Sequence, residues 1–157
     1  MSRTPKSERL VRKAEAALLS AIEVYNKPTF EYREETFAIL ALNAWELLLK
    51  AKLLAENDND QRALFVYERR QTKTGERTKK RYLKRNRSGN VLSKGLFNVL
   101  ADLDNDPSTR VSSAVRANLE ALAEIRDNAV HYFTASPQLA KRILEVGTAA
   151  VKNFVEA

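Results

Sequence analysis

The chain has 157 residues, with 27 Lys/Arg against 20 Asp/Glu, a formal net charge of +7, one histidine and no cysteine. That length suits one domain with a real hydrophobic core, and the absence of cysteine excludes a disulfide framework, a thiolate nucleophile and Cys-ligated zinc. A single histidine leaves a transition-metal site without its usual ligands, so no metal and no cofactor are expected. The opening MSRTPKSERLVRKAEAALL is charged and lacks the apolar run of a signal peptide. The longest apolar segment, Phe37 to Ala55, is interrupted by Asn43, Glu46, Lys50 and Lys52, which argues against a membrane span. The expectation is a cytoplasmic protein that makes no membrane contact.

The charge is uneven. Between Arg62 and Lys94 there are twelve Lys/Arg and only two acids, Glu68 and Glu76, which leaves fifteen basic and eighteen acidic residues for the rest of the chain. A near-neutral body carrying one basic element points to a polyanionic partner, most simply nucleic acid. The plainer reading of such a cluster is a solvated, solubilising loop.

In chain order, Lys6 to about Tyr25 reads as a first helix, with Leu10, Ala14, Ala17, Leu18, Ala21, Ile22 and Tyr25 at helical spacing; Pro28 then breaks the pattern. A second helix is expected from about Tyr32 to Glu56. It is apolar nearly all round and should be the buried centre of the fold. Its exception is a narrow polar stripe of Asn43, Glu46 and Lys50, which either borders a polar site or is an edge stripe with an i,i+4 Glu–Lys pair. Next, the apolar run Ala63–Tyr67 and the run Thr78–Leu83, around Lys73-Thr74-Gly75-Glu76, predict a β-hairpin. This hairpin, an insertion over residues 62–92, is also the basic element. Arg69, Arg70, Lys73, Arg77, Lys79, Lys80, Arg81, Lys84 and Arg85 are its candidate nucleic-acid contacts, with Arg87 adding to its charge, and Tyr67 and Tyr82 are aromatics that either stack on bases or pack against the body. Ser93 is placed as the N-cap of a short helix from Lys94 to about Leu103. A long helix is expected from about Thr109 to His131, and Ser136-Pro137 starts a last one to about Val155. The predicted architecture is therefore all-α, a single domain over 1–157 built as a four-to-five-helix bundle with an inserted basic β-hairpin.

The late segment Arg126-Asp127-Asn128-Ala-Val-His131 holds the one side chain whose ordinary pKa lies near neutrality. It fits the R-x(4 to 6)-H motif of the HEPN superfamily, in the penultimate long helix where that family places it. Ala44-Trp45-Glu46-Leu-Leu-Leu-Lys50-Ala51 likewise resembles the A-x-E-x-x-x-K-A pattern of many HEPN domains. The resemblance covers about 1–57 and 93–157, with the basic hairpin outside it. It implies a metal-independent endoribonuclease, typically of a toxin or antiphage system, in which the RNA 2′-OH attacks the adjacent phosphate. By motif position His131 would be the general acid/base, Arg126 would bind the phosphate, and Asp127 and Asn128 would orient these groups or the RNA. A non-catalytic nucleic-acid-binding or protein-interaction module is the competing reading, and an antitoxin or a nucleotidyltransferase the kind of partner protein that such domains take.

Helix geometry adds a constraint of its own. Five residues at about 100° each put Arg126 and His131 about 140° apart on a straight helix, with a rise of about 7.5 Å. One protomer does not obviously close both side chains on one phosphate, and cleavage needs both a base and an acid from a chain with one histidine. A twofold homodimer with two copies of the motif in one cleft meets both requirements.

Overall fold

The computed structural model describes residues 4–131 and 137–157, with side chains described for 4–128 and 140–157. Five α-helices occur among them: α1 (Lys6–Tyr25), α2 (Arg33–Glu56), α3 (Leu96–Leu103), α4 (Ser113–His131) and α5 (Pro137–Glu156). A 3₁₀ turn (Gln61–Leu64) and a two-stranded antiparallel hairpin, β1 (Tyr67–Gln71) and β2 (Arg77–Leu83), lie between α2 and α3. A mostly helical domain with an inserted hairpin is thus what the composition and periodicity predict. None of the described helices is long and apolar enough to cross a membrane.

The central helix is α2, which packs against α1, α3, α4 and α5. It can do so because its apolar positions run round the cylinder: Phe37, Ala41, Ala44 and Leu54 are buried, and so are Leu42, Trp45, Leu49 and Leu53 on the other flank. Alanines Ala14 and Ala21 of α1 and Ala38 and Ala41 of α2 are all fully buried, and residues without long side chains let the two backbones approach. Trp45 joins α2 to α5. Its ring meets Phe154 edge-on at 5.4 Å, and Nε1 donates to Ala150 O at 3.3 Å.

Gly147 sets the second α2–α5 contact. A Cβ there would lie 2.6 Å from Phe37 Cε1, and the Phe37 ring is itself held edge-on by Tyr25 at 5.4 Å. Gly147→Val should therefore destabilise the fold by about 1–3 kcal/mol despite removing a helix glycine. The same change should cost less in a Phe37→Leu background, because the two residues share one space. Urea unfolding of the four proteins checks this; additive losses would place the strain elsewhere.

Local chemistry decides where the elements end. After α2, Asp58 and Asn59 take left-handed backbone (φ 52° and 58°), which Asx residues tolerate. Asn59 N–H closes onto Leu54 O at 2.8 Å, and Asn59 Oδ1 accepts from the Ser7 N–H at 2.9 Å, tying the start of α1 to the end of α2. Asp60 then caps the 3₁₀ turn. Hydrogen bonds from the Arg62 guanidinium and backbone N–H hold its carboxyl below the usual carboxylate range. This cap is fully present above the ordinary Asp value of about 3.9 and is lost as pH falls through the lower folded one.

Three boundaries differ from expectation. The first strand covers Tyr67–Gln71, not Ala63–Tyr67, because Ala63 and Leu64 pack into the bundle core from the 3₁₀ turn. Ser93 is not a helix cap: it pairs with Phe65 in an isolated bridge, and α3 starts after Gly95. Helix α4 starts at Ser113, since the Thr109 hydroxyl is buried and donates to Leu103 O at 2.7 Å, while Ser112 Oγ accepts from the Val115 N–H. Ser136, the expected cap of α5, lies outside the described residues.

Candidate nucleic-acid interface

The hairpin is anchored to the bundle at its root. Val66 N–H donates to Leu92 O, Leu92 N–H to Lys84 O, and Lys84 N–H to Val66 O, each at 2.9 Å. The three segments therefore close a ring of backbone hydrogen bonds. Lys94 N–H reaches Leu64 O at 2.8 Å, and the Lys94 ammonium holds both Ala63 O (2.8 Å) and Asp102 Oδ2 of α3 (2.7 Å). At the far end Gly75, at φ 84°, makes the reversal that a side chain would strain. Between root and tip the register pairs Tyr67 with Leu83, Glu68 with Tyr82, Arg69 with Arg81, and Gln71 with Arg77.

That register sorts the charges. Strand alternation puts Tyr67, Arg69 and Arg81 on one face, and Glu68, Arg70 and Tyr82 on the other. Arg70 Cζ lies 4.4 Å from the Tyr82 ring centroid and Lys80 Nζ 5.5 Å, so the Tyr82 π-face is taken by the protein's own cations. Tyr67 is 40% exposed. Arg69 and Arg81 oppose each other directly, and like charges in that relation repel. Among the described residues none of Arg69, Arg70, Lys73, Arg77, Lys79, Lys80, Arg81 or Lys84 has an acidic partner. Arg85 donates to Gly89 O at 2.7 Å and braces the second turn.

The Arg126–His131 segment lies at the end of α4. Arg126 is partly exposed, and its guanidinium grips the neighbouring carboxylate, with Nε and one terminal nitrogen 3.0 and 2.9 Å from Asp127 Oδ1. Asp127 and Asn128 are exposed. One turn earlier Glu124 accepts from Arg142 of α5 at 2.9 Å, linking the two helices. The helix backbone reaches His131, whose side chain lies outside the described residues.

The polar stripe of α2 is engaged elsewhere. Asn43 is exposed, while Lys50 Nζ holds Glu46 at 2.6 Å and Ser93 Oγ at 3.1 Å, with only 11% of the Lys50 side chain exposed. This pair ties α2 to the segment that leads from the hairpin to α3. Among the described residues no hydrogen bond joins Asn43, Glu46 or Lys50 to Arg126, Asp127 or Asn128.

Between hairpin root and α3 lies a cavity of about 360 Å³, lined by Phe65, Val66, Tyr67, Arg81, Lys94, Asn98, Ala101 and Asp102. Sequence reading misses it. Asn98 and Asp102 are one helical turn apart on α3, but nothing local says that the hairpin root faces them.

The model of the family described as a domain of unknown function (DUF3644) matches residues 9–157. The chain belongs to this family. No curated protein and no solved structure matches it. The DUF3644 description assigns no activity.

Proposed function

We propose that this DUF3644 chain is a metal-independent endoribonuclease that acts as a homodimer, with Arg126 and His131 as its reacting pair. The observation that carries the reading is the Arg126 guanidinium, partly exposed and held by Asp127, on the helix that ends at the single histidine. A planar guanidinium fork suits a phosphate and the negative charge of its transition state. In the proposed reaction a histidine takes the proton of the RNA 2′-OH. The 2′ oxygen bonds to phosphorus, the bond from phosphorus to the 5′ oxygen breaks, and a second acid returns a proton to that oxygen. The products are a 2′,3′-cyclic phosphate and a 5′-OH. With one histidine per chain, base and acid come from two copies. The HEPN-like order of motifs, the helical fold and a basic hairpin to hold RNA support this reading, and with it a cytoplasmic role as a toxin or antiphage effector controlled by a partner protein.

The test is incubation of wild type and His131→Ala with tRNA and mRNA in EDTA, with analysis of product ends. Cyclic phosphate ends from wild type alone are expected; equal cleavage by both proteins would remove His131 from the chemistry.

A second reading, a nucleic-acid-binding module without catalysis, is favoured by the concentration of unpaired cations on one appended element. Both readings expect hairpin phosphate contacts. Neutralising Lys79, Lys80 and Arg81 to Gln should reduce the slope of log K against log salt by about 2 for single-stranded RNA, at roughly 0.7 per contact. An unchanged slope would mean that this strand does not meet phosphate.

A further inference from the structure

We propose that the cavity at the hairpin root seats one unpaired base of a single-stranded RNA, with Tyr67 as its stacking platform and Arg69 and Arg81 on the flanking phosphates. The inference rests on RNA being the partner, but not on its cleavage.

Three observations meet at this place. The cavity, about 360 Å³, has an apolar floor of Phe65, Val66 and Ala101 and a polar wall of Asn98 and Asp102. The lining is divided almost evenly between apolar and polar surface, with Arg81 and Lys94 contributing cations, which suits a base carrying both a flat apolar face and hydrogen-bonding edges. No hydrogen bond among the described residues occupies the Asn98 amide, and the Lys94 ammonium lies on Asp102 Oδ2 at 2.7 Å. That cation offsets the carboxylate which would otherwise repel a nucleotide, and the second carboxylate oxygen remains to accept from a base N–H.

The two tyrosines divide the work. Tyr82 has its ring covered by Arg70 at 4.4 Å and faces away from the cavity side of the hairpin. Tyr67 lines the cavity, is 40% exposed, and no cation covers its ring among the described residues. Stacking on an exposed aromatic accepts any base.

Arg69 and Arg81 give the reason for a polyanion at this same face. They share it with Tyr67, oppose each other across the strands, and have no acidic partner among the described residues. A phosphate between them turns a repulsive pair into a clamp. Adjacent strands lie about 4.8 Å apart, close enough for two guanidiniums directly opposite each other to share one phosphate. In an A-form duplex the bases are stacked inside and the accessible surface is phosphate and 2′-OH. A cavity beside a stacking ring therefore selects an unpaired strand.

The experiment measures binding of a labelled ten-nucleotide RNA, alone or annealed to its complement, to His131→Ala protein so that cleavage does not enter. The single strand should bind at least tenfold tighter than the duplex. Tyr67→Ala should weaken single-strand binding by about 5- to 150-fold, the range for loss of one stacked base, and Tyr67→Phe should restore it. Exposed Tyr32, on the far side of the chain's first loop, provides a control, since Tyr32→Ala should change nothing. Arg81→Glu should place an acid opposite Arg69, raise amide protection in the hairpin, and weaken binding; a merely structural Arg81 would give the first effect without the second. Equal affinity for duplex and single strand, or full affinity in Tyr67→Ala, overturns the proposal. If wild type cleaves no RNA yet these binding differences appear, the ribonuclease reading fails and the base pocket stands.

Discussion

Replacing Trp45 by alanine should cost the fold about 3–5 kcal/mol, the usual range for truncating a buried tryptophan. Trp45 is 1% exposed and lies where α2 meets α5. Its loss removes the edge contact with Phe154 and leaves a void that helices on both sides cannot easily fill. Domains of this size have only about 5–15 kcal/mol in hand, so the variant should be partly unfolded at 37 °C. Trp45 is the one tryptophan of the chain, which makes far-UV dichroism in urea the proper readout for the variant. Trp45→Phe should lose much less, since a ring still meets Phe154. A loss below about 1 kcal/mol for Trp45→Ala would show that α5 is not a structural partner of the central helix.

Replacing His131 by alanine should lower RNA cleavage by about 10²- to 10⁴-fold, the range for one positioned general acid or base, with the fold retained. Arg126→Lys should also fail to restore wild-type activity, because an ammonium keeps the charge but not the fork that matches a phosphate. The pH profile carries more information than either loss. If two copies of His131 act as base and acid, one must be neutral while the other is protonated. The rate then rises and falls with pH, a bell whose two limbs belong to the pair. Activity per chain should also fall on dilution as dimers separate. A single-limbed profile with no dependence on protein concentration would assign the second proton transfer to a group other than His131.

The helices were legible in the sequence because their signals are local. Apolar residues recur at helical spacing, and residues 37–54 are apolar round all of the helix but the narrow stripe of Asn43, Glu46 and Lys50, which marks a central helix. The hairpin was legible in kind but shifted in place. The apolar run Ala63–Tyr67 reads as the strand, yet apolar residues beside a bundle are worth more buried in it, and the charged run Tyr67–Gln71 takes the strand position. The Glu46–Lys50 pair followed from i,i+4 spacing, whereas its tie to Ser93, 43 residues away, had no local trace. The same holds for the candidate sites. The grip of Asp127 on Arg126 is a neighbour effect that adjacency suggests. The root cavity depends on how β1, β2 and α3 face one another, which no single segment encodes.

The ring of hydrogen bonds among Val66, Lys84 and Leu92 has an engineering consequence. It fastens the hairpin below the two strands, so the arm beyond it is built without help from its own tip. Residues 72–76 should therefore be exchangeable: a shorter reversal, a longer one or a grafted epitope leaves the anchorage and the bundle as they are. The arm is a cassette, whose reach and charge can be rewritten while the body that carries it stays the same.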